Sequence, residues 1–444
     1  MLKRVLSITI AATIVASLFV GCGSKEVKKD GDQAASAPAA QKGKNVTIKM
    51  SDWLETEEAT KGIFKTMIDS FQKNNPNIKV ETTGIPFNNY KDQVLIALSS
   101  GDTPDVIQGN SQMMSAFDGA QGLAPLEGLI KKDVIDDIFP NNLAGTTFGG
   151  KIKALSWVPH PIALFYNKDL FQKAGLDPEK PPKTWDEMVD YAKKISALKK
   201  DKDGNQVYGL GIEDGKESHA GAAFIGIMYS FGGEFVSKDG KVTFDNPGTK
   251  EALKFIKDMV AGGIMPPSVV IKDIRGLFAA GRVGICFDGD MGRGVFRTSS
   301  GKGTEFDKIM GVATMPVGKT GKSETVYTEH QIAIGSSSKN KPEAAMLVEH
   351  LLGKDMALEY HKAYASMSAR KSIAALPEMN EDNYMKVFNE QSKTARPLPV
   401  TSNMFDNACL EITKGMERIT LTNEDIDKVV KDVQASIEKI YSGK

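Results

Sequence analysis

Strand-like and helix-like segments alternate from residue 46 onward, and this alternation constrains the fold more than any other feature. Strand patterns occupy residues 46–50, 78–80 and 105–107. Apolar residues recur at helical spacing over residues 63–71, and a second helical segment covers 90–99. Strands and helices that alternate with such short connections predict a parallel sheet covered by helices, which is the α/β class.

The alternation continues through the second half of the chain. Strands are predicted at residues 164–167 and 283–287, and helices at 168–174, 249–261 and 423–441. Thr184 followed by Glu187 three places on predicts a capped helix start, and a further helix begins at Lys341-Pro342. A single core stops growing at roughly 250–300 residues. The 444 residues therefore predict two or more domains.

The N-terminus has the pattern of a secretory signal. Lys3 and Arg4 precede an uncharged, mostly apolar run over residues 5–20, which closes on Gly21 and Cys22. The run is shorter than the roughly 20 apolar residues that a membrane-spanning helix needs. The sequence therefore predicts secretion rather than a permanent membrane span.

The residues before Cys22 resemble the lipobox of bacterial lipoproteins. Phe19-Val20-Gly21 precedes the cysteine, although Phe19 stands where leucine is usual. This resemblance implies acylation of Cys22, palmitate included, and a soluble body held at the outer face of the cell membrane. An ordinary cleaved signal, with Cys22 unmodified, is the alternative. Residues 23–45 are polar and lack aromatic residues, so a flexible tether is expected there.

Charge and composition exclude several classes of function. The chain has 56 basic and 56 acidic residues, and loss of Lys3 and Arg4 with the signal leaves a charge of −2. A nucleic-acid binder would carry a basic footprint, so no nucleic-acid partner is expected. The five histidines show no metal-ligand spacing, and no metal or cofactor is predicted. Cys286 and Cys409 are expected to be two separate buried thiols, with pairing in an oxidising compartment as the alternative.

Seven segments, in order along the chain, resemble one known family. They are FQKNNPNIKV at 71–80, SGDTPDVI at 100–107, FYNKDLFQKAGL at 165–176, KTWDE at 183–187, FGG at 231–233, FAAGRVGI at 278–285 and SKNKPEAA at 338–345. The ordered set is similar to the extracellular solute-binding proteins of ABC importers, in the carbohydrate-type group that includes maltose-binding protein.

The resemblance implies two α/β lobes with a ligand cleft between them. Chain crossovers are expected near residues 153–156, 322–328 and 365–373. The predicted domains are a lipoprotein signal peptide at 1–21, a tether at 22–45, an N-terminal lobe at 46–155 plus 323–370, and a C-terminal lobe at 156–322 plus 371–444.

Ligands of open α/β sheets bind at the carboxyl ends of strands, so residues that follow strands and crossovers are the candidates for ligand contact. An acid beside an aromatic ring suits a sugar, amides both donate and accept hydrogen bonds, and histidines near crossovers face the expected cleft. The predicted ligand-binding residues are Asp52, Trp53, Asn110, Gln112, Trp157, His160, Phe231, Asp288, Met291, Glu329, His330 and Arg370. Structural roles, such as capping for Asn110, core packing for Trp53 and Phe231, and an interlobe tie for Arg370, are the alternatives.

The sequence thus predicts a monomeric, lipid-anchored binding protein without catalytic residues, which captures a solute and delivers it to an ABC permease. Carbohydrate is the expected ligand. Met291 stands where the sugar-binding pattern often has a stacking tryptophan, which argues against a long oligosaccharide. Binding of a non-sugar polar solute and presentation of ligand to a membrane sensor are the alternatives. A secreted glycoside hydrolase, with Asp52 and Asp288 as opposed carboxylates, is a remote one.

Overall fold

A computed structural model describes residues 44–237, 239–400 and 402–443. The predicted signal peptide, the lipidation site Cys22 and the tether up to residue 43 lie outside the described residues.

The strands of the described residues form two main sheets and one small hairpin. In chain order they are β1 (Val46–Asp52), β2 (Ile78–Gly84), β3 (Val106–Gly109), β4 (Thr147–Phe148), β5 (Lys151–Ile152), β6 (Ala154–Pro161), β7 (Ala163–Asn167), β8 (Tyr208–Gly211), β9 (Val283–Asp288), β10 (Met310–Ala313), β11 (Thr325–Ile334) and β12 (Ala395–Arg396).

The first sheet has six strands, in the order β12-β11-β3-β1-β2, with β6 also paired to β11. β1 is parallel to both β2 and β3, which confirms the parallel arrangement predicted for this part of the chain. β11 runs antiparallel to β3 and to β6, so the complete sheet is mixed.

The second sheet has four strands, in the order β10-β7-β9-β8. β7 lies antiparallel to β10 and to β9, and β8 is parallel to β9. Successive side chains of β7 point to opposite faces, as the strand geometry requires. Leu164 and Tyr166 pack in one core, and Phe165 packs in another on the opposite face.

Helices cover both sheets. They are α1 (Lys61–Asn74), α2 (Phe87–Ser100), α3 (Ser111–Gly119), α4 (Lys132–Asp137), α5 (Pro140–Ala144), α6 (Lys168–Lys173), α7 (Trp185–Ser196), α8 (Ser218–Ser230), α9 (Pro247–Ala261), α10 (Ile271–Ala279), α11 (Gly292–Ser299), α12 (Lys341–Leu351), α13 (Lys354–Tyr364), α14 (Lys371–Ala374), α15 (Asn383–Ser392), α16 (Phe405–Thr420) and α17 (Ile426–Tyr441). Short 3-10 turns lie at Leu54–Thr56, Gly303–Lys308 and Pro377–Met379.

The predicted helix starts are built by local capping. The hydroxyl of Thr184 accepts the Glu187 N–H at 3.2 Å, and the Glu187 carboxylate accepts the Lys183 N–H at 2.7 Å. Asn246 caps α9 by accepting the Thr249 N–H at 2.9 Å. The Glu187 and Thr249 N–H groups are among those that the first helical turn leaves free, and the Lys183 bond holds the residue before the cap against the helix, so these sequence signals fix where the helices begin.

The chain leaves the six-stranded sheet at Pro161, the end of β6, and enters the four-stranded sheet at Ala163, the start of β7. It returns between β10 and β11. The predicted first crossover at residues 153–156 lies at the start of β6, before this change of sheet, and the second, at 322–328, spans the start of β11. The lobe boundaries themselves stay a prediction.

Cys286 and Cys409 are both free and buried, in β9 and α16 respectively. Burial raises the pKa of both thiols well above the usual range, so neither is a reactive thiolate at neutral pH. Within the described ranges, no helix combines the length and the apolar character needed to cross a membrane.

Candidate functional site

A cavity of about 800 Å³ is lined by residues from elements of both main sheets. Trp53 and Asn110 follow β1 and β3 of the six-stranded sheet, whereas Ile212 and Asp288 stand at the ends of β8 and β9 of the four-stranded sheet. The cavity therefore lies at the carboxyl ends of strands, where open α/β sheets bind their ligands.

Trp53 is held at the cavity by edge-to-face ring contacts. Its ring centroid lies 5.4 Å from Phe87, 5.0 Å from Tyr90 and 5.0 Å from the His330 imidazole. Its backbone N–H donates to Oε1 of Gln108 at 3.2 Å. The indole is buried by these neighbours, so packing fixes its orientation at the cavity wall.

His160 lies at the centre of a buried polar group. Its Nδ1 is hydrogen-bonded to Oδ1 of Asp290, and Asp290 also accepts the N–H groups of Met291 at 3.0 Å and Met367 at 2.8 Å. The His160 and His330 rings meet edge to face at 4.8 Å. Burial and the neighbouring His160 lower the pKa of His330 well below its usual value, so His330 is neutral at neutral pH.

Glu329 reaches the cavity from β11 and is otherwise surrounded by uncharged donors. It accepts hydrogen bonds from Gln331 Nε2 at 2.6 Å, Asn142 Nδ2 at 3.1 Å and Ser111 Oγ at 3.5 Å. Burial raises the pKa of this carboxyl group. Hydrogen bonds from uncharged side chains and, to a lesser extent, the nearby His160 oppose this rise.

On the opposite wall, Arg275 of α10 is held by Asp288. The guanidinium Nε and one terminal nitrogen donate to the two carboxylate oxygens at 2.7 and 2.8 Å, a bidentate pair. The Gly289 N–H also donates to Asp288, at 2.8 Å. Asp288 is therefore fully engaged within the protein.

A second polar corner of the cavity contains Glu213, Glu217 and His219. His219 Nδ1 is bonded to Oε2 of Glu213 at 2.8 Å, and its ring lies edge-on to Phe87, with centroids 6.4 Å apart. Burial opposes charging of His219, but Glu213 outweighs burial and raises the pKa of the imidazole. Burial raises the pKa of Glu217.

The structure brings seven of the twelve predicted ligand-binding residues to the cavity wall. They are Trp53, Asn110, His160, Asp288, Met291, Glu329 and His330. Asn110 lines the cavity and also caps α3, because its side chain accepts the Met113 N–H at 2.9 Å. Ligand contact at these positions stays a prediction.

The other five predicted residues lie away from the described cavity wall, each for a packing reason. Asp52 is buried beneath it, where Oδ1 accepts the Glu55 N–H at 2.8 Å, and Gln112 is buried in α3. Trp157 donates from its indole N–H to the Leu351 carbonyl at 3.2 Å. Phe231 packs on Trp185, with ring centroids 5.1 Å apart.

Arg370 is the fifth of these residues. Its Nε donates to Oδ2 of Asp137 at 2.9 Å, and Asp137 also accepts the Ser372 N–H at 3.0 Å. The guanidinium therefore ties the segment after α13 to α4.

Several wall residues were not predicted from the sequence. Glu57, Glu213, Glu217, His219, Lys272 and Arg275 all line the cavity. Glu213 follows β8, so the carboxyl-end rule applies to it once Tyr208–Gly211 is recognised as a strand. Arg275 lies on a helix, where spacing alone does not show which face meets a cavity.

Among the residues that the structure describes, no group of three or more histidine, cysteine or acidic side chains is arranged to hold a metal ion.

Comparison with known proteins identifies the family. Residues 51–357 match the model of the bacterial extracellular solute-binding protein family. A putative binding protein of Brucella abortus is 28% identical over 381 residues, which are 85% of this chain and 89% of the relative.

Solved structures share the fold. An ABC transporter solute-binding protein of Thermotoga lettingae, bound with α-D-tagatose, aligns with a TM-score of 0.79 at 24% identity and covers 90% of this chain and 99% of its own. UgpB of Mycobacterium tuberculosis, in complex with glycerophosphocholine, aligns at 0.75 and 20% identity, covering 89% and 98%. These alignments confirm the predicted two-lobe α/β fold.

The family match extends over more than half of the chain. The sequence-based prediction of a binding protein rather than an enzyme is therefore confirmed by what the matched family and the relative are. This chain belongs to the bacterial extracellular solute-binding protein family.

Proposed function

We propose that this protein captures a mono- or oligosaccharide in the cavity between its lobes and delivers it to an ABC permease. The protein acts as a monomer and is held at the outer face of the cell membrane by lipid on Cys22. Closure of the two lobes about the crossovers accompanies binding, because a ligand that touches both walls favours the closed state by its greater affinity for it.

The observation that carries this proposal is a cavity whose two walls come from different sheets and combine apolar surface with hydrogen-bond acceptors. Trp53, Phe87 and Phe287 provide rings, and Glu329 and His330 provide polar atoms. A pyranose presents apolar faces and a rim of hydroxyl groups, which such walls match. The volume of about 800 Å³ lies within the usual range for small-molecule sites, roughly 300–1,000 Å³. The tagatose bound to the Thermotoga lettingae protein supports a sugar.

Sugar binding is expected to raise the melting temperature and to reduce the radius of gyration measured by X-ray scattering. Ala223 of α8 lines the cavity, and Ala223→Trp would fill it. This variant is expected to keep the circular dichroism spectrum and lose at least roughly 100-fold in affinity, since the bulky ring occupies ligand volume.

The matched control is Ala435→Trp, the same substitution at an exposed position of α17, which is expected to bind like the parent protein. Equal binding by Ala223→Trp would place the ligand elsewhere. If a complete sugar panel gives no thermal shift while another solute class does, the sugar proposal is wrong.

The lipid anchor is tested separately. In a bacterial host grown with labelled palmitate, the full chain is expected to carry label and to sediment with membranes, because two acyl chains give stable attachment. Cys22→Ala is expected to lose both properties. Cys409→Ala, which removes a buried thiol, is the control that retains them. Membrane attachment that survives in Cys22→Ala would contradict the anchor.

A further inference from the structure

The cavity wall holds more acidic than basic side chains. The carboxyl groups that line it belong to Glu57, Glu58, Glu213, Glu217, Asp288 and Glu329. The permanent cations that line it are Lys272 and Arg275. A cleft with an excess of one charge concentrates that field on a bound ligand.

Both cations already face carboxylates of the protein. Arg275 forms its bidentate pair with Asp288. Lys272 and Arg275 also interact electrostatically with Glu57 on the opposite wall, where burial raises the pKa of the Glu57 carboxyl group and the two cations counteract the rise. An anionic ligand would therefore have to compete with Asp288 and Glu57 for positive charge.

Two further carboxyl groups of the wall, Glu217 and Glu329, take part in no ion pair among the described residues. His219 and Lys91 act on Glu217, and His160 acts on Glu329, only at longer range. Glu329 is satisfied by uncharged donors, and Glu217 stands half-buried beside Glu213, which already has His219 as its partner. Carboxyl groups without an ion pair thus lie at two places, one on each wall.

His160 independently indicates a ligand that forms a hydrogen bond at this point of the wall. The imidazole is 1% exposed and lines the cavity, and its Nε2 has no hydrogen-bond partner among the residues that the structure describes. Asp290 takes the hydrogen bond of Nδ1, so Nε2 is the ring nitrogen left to meet a ligand. A buried polar atom without a partner is costly, and a sugar hydroxyl group, which can donate or accept, would satisfy it.

We infer that the cavity selects an amine-bearing sugar, whose ammonium group interacts with Glu217 or Glu329, over the neutral and the anionic sugars of the same skeleton. This inference rests on the proposed sugar-binding function and names the class of sugar. Charge-assisted hydrogen bonds favour the ammonium group over a hydroxyl group at these carboxylates. Carboxylates without an ion pair at both walls repel phosphorylated sugars and uronic acids.

The test is calorimetric titration with matched sets that share one skeleton. Each set contains an amino sugar, its neutral parent and the corresponding uronic acid, for example glucosamine, glucose and glucuronic acid, with galactose-based and cellobiose-based sets beside it. In the set that binds, the amine is expected to bind roughly tenfold more tightly than the neutral sugar, and the uronic acid more weakly than both. The advantage is expected to shrink at about 1 M NaCl, where the screening length is about 3 Å.

Glu217→Gln keeps the shape of the side chain and removes its charge. Glu329→Gln does the same on the other wall. The substitution at whichever carboxylate meets the ammonium group is expected to reduce the ratio of amine to neutral affinity by roughly fivefold. Glu438→Gln, at an exposed position of α17 outside the cavity wall, is the matched control and is expected to leave the ratio unchanged.

The outcomes separate the inference from the proposed function. A neutral or acidic sugar that binds at least as tightly as its amine partner overturns the inference and leaves sugar binding in place. If no sugar of any set binds and a non-sugar solute binds instead, the inference and the proposed sugar-binding function are both overturned. An amine preference that Glu217→Gln and Glu329→Gln both leave intact would show that these carboxylates do not cause it, which also overturns the inference.

Discussion

Replacing Asp290 with alanine is expected to lower the free energy of unfolding by about 3–5 kcal/mol. Asp290 is fully buried and accepts hydrogen bonds from His160, Met291 and Met367. Its removal leaves these donors unsatisfied in the interior and opens a gap between β6 and the loop after β9. Asp290→Asn keeps the size and one acceptor, so a smaller loss is expected for it.

Urea unfolding at pH 7, followed by circular dichroism, measures this loss. Asp69→Ala is the control, because Asp69 is an exposed partner of Lys65 on α1 and its removal should change stability by no more than about 0.5 kcal/mol. If Asp290→Ala unfolds within error of the parent protein, the His160–Asp290 pair does not stabilise the fold.

Between pH 4.5 and pH 8, the free energy of unfolding of the parent protein is expected to fall by about 3 kcal/mol more than that of Asp52→Asn. Burial raises the pKa of Asp52 from 3.8 to about 7, against the opposing effect of its hydrogen bond from the Glu55 N–H. Between these values the folded state holds a proton that the unfolded state has lost. Asp52 therefore costs stability as pH rises from about 4 to about 7, and the cost is constant above that.

Asparagine cannot ionise, and its side-chain oxygen can still accept the Glu55 N–H, so the variant lacks this loss at high pH. Urea unfolding at several pH values compares the parent protein with Asp52→Asn, with Asp69→Asn as the exposed control. Parallel stability curves for the parent protein and Asp52→Asn would contradict the raised pKa. The comparison matters for function, because Asp52 lies directly before Trp53 of the cavity wall.

Local signals predicted most of the elements. The strand at 46–50, the helix over 63–71 and the cap at Thr184 are found where the sequence placed them, because each depends on neighbours within a few residues. The antiparallel pairing of β11 with β3 and β6 was not predicted. That pairing joins segments more than 150 residues apart, and no pattern within one segment specifies its direction.

Wall residues were predicted correctly where the sequence showed a strand and the residue follows the carboxyl end of that strand. Trp53, Asn110 and Asp288 reach the wall in this way. Trp157 and Phe231 were candidates by residue type, yet Trp157 is buried in one core and Phe231 packs, partly buried, against another. Burial stabilises a large apolar ring more than a wet cavity does. Arg275 was not predicted, because its ion pair with Asp288 depends on the packing of α10 beside β9 in the folded chain.

The placement of the tryptophans has a practical consequence. The chain contains three, and of these Trp53 alone lines the cavity, whereas Trp157 and Trp185 pack elsewhere. The ring of Trp53 also touches the imidazole of His330, another residue of the cavity wall, so a ligand at either residue changes the surroundings of the indole. In a protein in which Trp157 and Trp185 are replaced by phenylalanine, all tryptophan fluorescence would come from Trp53. Its emission would then report ligand binding in the cavity without an added label.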